Sequence, residues 1–282
     1  MVRAIGLKQS DFVQFVAASA VAFCLLLLAG CNSAGPKEVE YVERPVEVIY
    51  NQAIDELQKK RYFQAAEQFD EVERQHPYSV WARRSMLMAA YAKYQMNEYD
   101  TAILSAQRFI SLHPGNRDVA YAYYLIGISY YEQISDVGRD QRMTREALRA
   151  LQEVVRRFPS TDYARDARLK IDLTRDHLAG KEMAVGRYYL KRGEVLAALN
   201  RFKIVIEQYQ TTTHTPEALH RLTEAYLALG VIDEAQTAAA VLGYNFPSSD
   251  WYIDSYALLT GRNLRPEKNE KSWISRAFDG FG

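Results

Sequence analysis

The side chains that could do covalent or metal chemistry are few and badly placed for it. His76, His113, His177, His214 and His220 show no HExxH spacing, and the two cysteines, Cys24 and Cys31, stand far from them in sequence. A zinc site needs several such ligands converging. Gly180-Lys181-Glu182 lacks the Ser or Thr and the upstream glycine of a phosphate loop, and neither GxSxG nor GxGxxG occurs. The 35 acidic residues read as solvated charge on polar helix faces. They balance 35 basic ones, so no global field draws the chain to nucleic acid, and no local basic run replaces it. The expectation is a protein that is not an enzyme, with no metal, no cofactor and no nucleic acid. What remains is one thiol in the mature chain and 20 tyrosines, against 3 Trp and 11 Phe. Tyrosine lines surfaces that are apolar on one side and wet on the other, which points to binding.

The thiol is placed by the first thirty residues. Phe12 to Gly30 (FVQFVAASAVAFCLLLLAG) follows Arg3 and Lys8 and runs into Cys31 and a polar stretch, the layout of a secretory signal. Leu28-Ala29-Gly30-Cys31 resembles the bacterial lipobox, in which small residues admit the signal peptidase and the cysteine thiol is acylated. The expectation is therefore a signal peptide over 1–30 and a lipid on Cys31. Cys24 is discarded with the leader and no disulfide can form. A retained membrane anchor is the competing reading of the same stretch. One acyl chain holds only marginally and several hold firmly. Asn32 is not the Asp that resembles an inner-membrane retention signal, so the periplasmic face of the outer membrane is expected. Residues 31–45, including KEVEYVERP, read as a flexible tether.

The body reads as a tandem helical repeat. Tyr62, Ala65, Phe69, Val72 and Pro77 recur as Tyr99, Ala102, Ala106, Phe109 and Pro114. Ala147, Leu151, Val154 and Pro159 continue the series, then Ala198, Phe202 and Val205, then Ala235, Ala239, Leu242 and Pro247. Three- and four-residue steps place these side chains on one helix stripe. The alanine is small where paired helices approach, Gly193 and Gly230 mark turns, and the proline ends the second helix. These spacings match the tetratricopeptide pattern. The fold expected is all-α: a superhelix of five helix-hairpin repeats, because one hairpin cannot bury its own face. The alanines are 37, 45, 51 and 37 residues apart, against a norm of about 34. This places an insertion at 133–145 and a lengthened helix over 163–179, between repeats three and four. The division expected is 46–160 for repeats one to three, 161–260 for the rest, and a disordered tail over 261–282, with a short amphipathic helix at WISRAF (273–278) as the competing reading of part of it.

In such arrays the first helix of each pair lines the concave groove. On that rule, repeat one offers Tyr50, Ile54 and Leu57; repeat two offers Arg84, Leu87, Tyr91, Tyr94 and Gln95; repeat three offers Tyr121, Tyr124, Ile128, Tyr131 and Glu132. Six tyrosines and an arginine suit an extended peptide with aromatic side chains, the guanidinium able to hold a carboxylate by paired hydrogen bonds. Any single ring among them could instead pack between repeats as core. The C-terminal half carries Arg187, Leu190, Lys191, His220 and Glu224, with Arg192 at the turn and Asn200-Arg201 on the following helix. A charged surface of that kind suits a folded partner.

Lipobox, tether, repeat layout and the segments Tyr50 to Val72 and YYLKRGEVLAALNRF (Tyr188 to Phe202) together resemble the BamD family of outer-membrane assembly lipoproteins, over residues 31 to about 260. The resemblance implies a lipid-anchored periplasmic subunit of the β-barrel assembly machinery, working beside other Bam lipoproteins. It implies docking on the membrane-proximal POTRA domain of BamA through Arg192, Asn200 and Arg201. It further implies that the N-terminal groove recognises the C-terminal signal of unfolded outer-membrane β-barrel proteins. The alternative is a lipoprotein adaptor, built from the same repeats, for cell-wall hydrolases or division proteins.

Overall fold

The computed structural model describes residues 43–279. Cys31, the leader and most of the tether lie outside them. Among the described residues there are twelve helices and no strand: α1 Val46–Gln58, α2 Tyr62–Gln75, α3 Val80–Gln95, α4 Tyr99–Leu112, α5 Val119–Tyr131, α6 Arg142–Arg157, α7 Asp162–Lys191, α8 Val195–Gln208, α9 Thr215–Leu229, α10 Ile232–Asn245, α11 Asp250–Thr260 and α12 Trp273–Phe278. Residues 44–279 belong to one compact unit. Each of α1 to α10 packs on the next, and α1, α3, α5 and α7 also touch in succession. The fold is thus an all-α stack of helix hairpins in which α1, α3, α5 and α7 share one side.

The recurring residues do what their spacing demands. Ala65, Ala102, Ala147, Ala198 and Ala235 are all fully buried, as are Phe69, Leu151 and Phe202 one turn on and Val72, Val154 and Val205 beyond them. Each fully buried phenylalanine contributes about 1.5–3 kcal/mol of transfer free energy. The second helix of each pair ends in the same way. His76, His113, Phe158 and Phe246 each precede a proline and take φ of −132°, −134°, −130° and −135°, because the following ring disfavours the helical region. Tyr209 precedes Gln210 and still takes −133°, so the stacking imposes the exit there without the ring.

Five residues before four of the five alanines the backbone turns left-handed. Gly193 and Gly230 are at φ +76°, as expected, but Lys60 (+59°) and Asn97 (+62°) occupy the equivalent places. Repeat three has the loop 132–141 instead.

The lengthened helix is α7, 30 residues and about 45 Å long at 1.5 Å per residue. Thr161 caps its start, its Oγ1 accepting from the Ala164 amide at 3.2 Å. The first half packs on α5 and α6 and the second pairs with α8. The inserted loop is tied to it where Lys181 Nζ donates to the Gly138 carbonyl at 3.2 Å. The α8–α9 loop is tied to it where Thr213 donates from N and Oγ1 to Asp176 at 2.9 and 2.6 Å.

Two boundaries differ from the sequence reading. The tether gives way to the body before residue 45, because the Arg44 amide donates to Gln75 Oε1 at 2.8 Å and its carbonyl lies 2.7 Å from His76 Nε2. The tail expected to be disordered is ordered through Asp279. Helix α12 buries Ile274 completely, Trp273 Nε1 donates to the Tyr226 hydroxyl at 3.0 Å, and Gln210 Nε2 donates to the Ala277 carbonyl at 2.9 Å. Tertiary contacts of this kind stabilise a helix too short to stand by its own propensity.

Candidate peptide groove and docking face

The groove is built from the seam of α3, α5 and the start of α7. Tyr91 and Tyr94 come from α3, and Tyr121, Tyr124 and Tyr131 from α5. Tyr163, in the first turn of α7, sits between two of them, its ring centroid 5.4 Å from Tyr121 and 5.3 Å from Tyr124. Tilted pairs at that range add about 0.5–1.5 kcal/mol each beyond area burial. The Tyr124 hydroxyl donates to Asp166 Oδ2 at 2.6 Å, and Lys170 Nζ lies 5.5 Å from the Tyr131 ring centroid while pairing with Asp166 at 3.0 Å. At the α3 side the Tyr94 hydroxyl donates to Glu132 Oε1 at 3.4 Å.

These surroundings raise the pKa of three of the phenols. Burial, with the Glu132 charge next, pushes Tyr94 up to about 12. Burial also raises Tyr121, where Tyr91 and Tyr163 add to it, and Tyr124, where the hydrogen bond to Asp166 adds to it. The seam therefore presents mostly half-buried rings, with the Tyr94 and Tyr124 hydroxyls held by Glu132 and Asp166.

Tyr50 is placed differently. Its ring packs 4.6 Å from Trp81 and 5.8 Å from Phe69, between α1, α2 and α3. Arg84 is exposed, its guanidinium 5.9 Å from the Trp81 ring centroid. Leu87 and Ile128, expected along the groove, are instead buried in the core, because their positions point into the cluster of Ala90, Ala106, Phe109 and Leu125. Tyr163, Asp166 and Lys170 were missed: residues 163–179 read as a connector, whereas their spacing of three and four turns them toward α5.

In the C-terminal half, Arg192 is exposed at the end of α7. Its Nη1 donates to the Tyr188 hydroxyl at 2.9 Å, its Nε meets Glu194 at 2.9 Å and its guanidinium lies 5.6 Å from the Tyr188 ring centroid. Arg201, on α8, reaches back to Glu182 of α7 at 3.1 Å. Asn200 is exposed, and so is Leu196 four residues before it, at 65%. Tyr188 and Leu196 thus give this charged face an apolar element that the sequence reading did not single out. Beyond it, Arg187 bridges to Glu217 of α9 at 2.8 Å, and Arg221 pairs with Glu224 at 2.6 Å. His220 is buried with Nδ1 2.9 Å from Ser255 Oγ.

Among the described residues no group of His, Cys, Asp or Glu could hold a metal ion, and no helix is long and apolar enough to cross a membrane. Stacked hairpins with an aromatic groove at one end and a charged face at the other define a helical-repeat scaffold. The family model described as "Outer membrane lipoprotein", YfiO, matches residues 42–242. A protein of Caulobacter vibrioides called outer membrane protein assembly factor BamD is 57% identical over 85% of this chain and 79% of its own length. Its namesake in Rickettsia prowazekii is 47% identical over 83% of this chain and 92% of its own. One from Neisseria meningitidis serogroup A is 37% identical over 82% and 91%. A solved tetratricopeptide protein of Thermus thermophilus is 19% identical, covering 77% of this chain and 100% of its own at a TM-score of 0.36. The chain belongs to the BamD family of outer membrane lipoproteins. It is a scaffold of that family and not an enzyme.

Proposed function

We propose that this chain is a lipid-anchored scaffold of outer-membrane protein assembly, held to the periplasmic face of the outer membrane through Cys31. The N-terminal groove takes the C-terminal segment of unfolded β-barrel proteins, and the C-terminal half docks on a POTRA domain of BamA beside other Bam lipoproteins. The observation that carries the reading is the aromatic seam spanning three helices, in which the half-buried rings of Tyr91, Tyr94, Tyr121 and Tyr124 adjoin the more exposed Tyr163, with the Tyr124 hydroxyl fixed by Asp166 and that of Tyr94 by Glu132. Rigid rings of this kind bind extended aromatic peptides at low entropic cost.

The scaffold acts by position. An acyl anchor and two weak binding faces on one rigid body raise the effective concentration of barrel segment and acceptor for each other without any bond being made. Arg192, Asn200 and Arg201 are the docking residues, with Tyr188 and Leu196 as apolar contacts beside them. The test is binding of a synthetic β-barrel C-terminal peptide, followed by fluorescence anisotropy. Replacing Tyr91 and Tyr124 together by Ala reduces affinity at least tenfold, and unchanged affinity removes the groove from the account.

A further inference from the structure

Beside the N-terminal ends of α3 and α5, the helices that carry Tyr91 and Tyr121, lies a cavity of about 550 Å³. Val80 and Trp81 form its apolar side, and Arg83, Arg84 and Arg117 face it against a single carboxylate, Asp118. Asp118 stands 3.6 Å from Arg117 Nε. Among the described residues no ion pair engages Arg83 or Arg84. The Arg84 guanidinium lies 5.9 Å from the Trp81 ring centroid, and Trp81 is itself braced by Tyr50 at 4.6 Å. A guanidinium resting on an indole keeps its N–H edge free and oriented, the arrangement that favours a planar anion held by paired hydrogen bonds. Two uncompensated guanidiniums beside an apolar wall thus complement a ligand that is anionic and apolar at once.

The cavity is in register with the groove. Arg84 and Tyr91 are seven residues apart on one stripe of α3, about 10.5 Å at 1.5 Å per residue. Three residues of extended peptide span nearly the same length at about 3.3 Å each.

We propose that this cavity receives the free α-carboxylate of the peptide held by the tyrosine groove, with the terminal side chain against Val80 and Trp81. The inference rests on the groove reading and adds to it a polarity: the peptide ends at the N-termini of α3 and α5, and its third residue from the end lies level with Tyr91. A segment with chain continuing past its aromatic residue has no carboxylate to offer and is discriminated against. Arg83, Arg84 and Arg117 are then specificity residues.

The experiment uses the mature chain in detergent and one fluorescent ten-residue peptide, rich in tyrosine and ending in phenylalanine, made as the free acid and as the C-terminal amide. The acid binds about tenfold tighter than the amide. In the Arg83→Gln, Arg84→Gln, Arg117→Gln triple variant, acid and amide bind alike, at the wild-type affinity for the amide. The single variant Arg84→Lys keeps the charge and part of the preference, and circular dichroism confirms that each variant is folded. Equal binding of acid and amide by the wild type overturns the carboxylate site while leaving the groove standing. A preference retained by the triple variant overturns the cavity as its location. Binding of neither peptide overturns the groove itself, and this proposal with it.

Discussion

Gly186 faces Phe202 where α7 and α8 approach, and the closeness of that approach makes Gly186→Ala a quantitative test of the stack. A Cβ there would stand 2.4 Å from Cε1 of the ring, 2.8 Å from Cζ and 2.9 Å from Cδ1, where carbon atoms rest at about 3.5–4.0 Å. Phe202 cannot swing aside, since it is fully buried in the cluster of Ala179, Met183, Val205 and Leu219. Overpacking of a tight core costs about 1–3 kcal/mol, and an overlap above an ångström belongs at the upper end. Alanine returns about 1 kcal/mol of helix propensity, so the net loss is about 1–2 kcal/mol. At about 2–4 °C per kcal/mol for a domain of this size, Tm falls by about 2–8 °C in a thermal melt of the mature chain. Gly115→Ala is the control, with no atom within 4 Å of the added carbon, and it leaves Tm unchanged. A Gly186→Ala protein as stable as the wild type would refute the α7–α8 packing on which the docking face depends.

The left-handed turns give a second test: Lys60→Gly relieves a strain of about 1–2 kcal/mol against a backbone-entropy cost of about 0.5–1, so Tm rises slightly, and a fall contradicts the turn geometry. Asn97→Gly gains less, because asparagine tolerates this region. Burial lowers the His220 pKa, with Arg221 also lowering it and Glu224, Asp254 and Glu217 pulling the other way. A histidine kept neutral in the fold contributes stability above its unfolded pKa of about 6.5, and that stability is lost as pH falls below it. Melts of the wild type from pH 7 to 5 should therefore decline more steeply than those of His220→Gln, and identical profiles would remove this residue from the acid response. Tyr163→Ala strips the α7 wall from the groove and should lower peptide affinity about three- to tenfold by anisotropy, whereas unchanged affinity would confine the groove to α3 and α5.

Much of the stack was legible because its packing is periodic. The alanines at 65, 102, 147, 198 and 235 stand at the closest helix approaches, where only a small side chain fits, so their recurrence reports the hairpins directly. The long α7 was legible from an excess of residues between two of those alanines together with apolar spacing across it. The left-handed turns were half legible: Gly193 and Gly230 announce themselves, but Lys60 and Asn97 adopt the same backbone without the residue type that signals it. Helix α12, the WISRAF segment, was half legible too: it reads as a short amphipathic helix, but a disordered tail is the stronger reading of the sequence. Six residues show too little periodicity, and the contacts that order Trp273 and Ser272 come from Tyr226 and Glu234 far back in the chain. The groove tyrosines on α3 and α5 followed from repeat position. Tyr163 did not, since it belongs to the part of α7 that has no counterpart in the repeat, and only the packing of α7 on α5 brings its ring against Tyr121 and Tyr124. The docking face was read as charged because Arg192 and Arg201 are conspicuous in sequence. The exposure of Leu196 depends on which side of α8 the long helix covers.

One scaffold holding a client at its N-terminal groove and an acceptor at its C-terminal face is tested most directly by photo-crosslinking in growing cells, with the reactive amino acid placed singly at Gln95 and at Leu196. The account predicts unfolded β-barrel proteins captured from position 95 and BamA from position 196, the latter product lost in an Arg201→Glu background. Capture of cell-wall enzymes from both positions, or of BamA from the groove and clients from the α8 face, would contradict it.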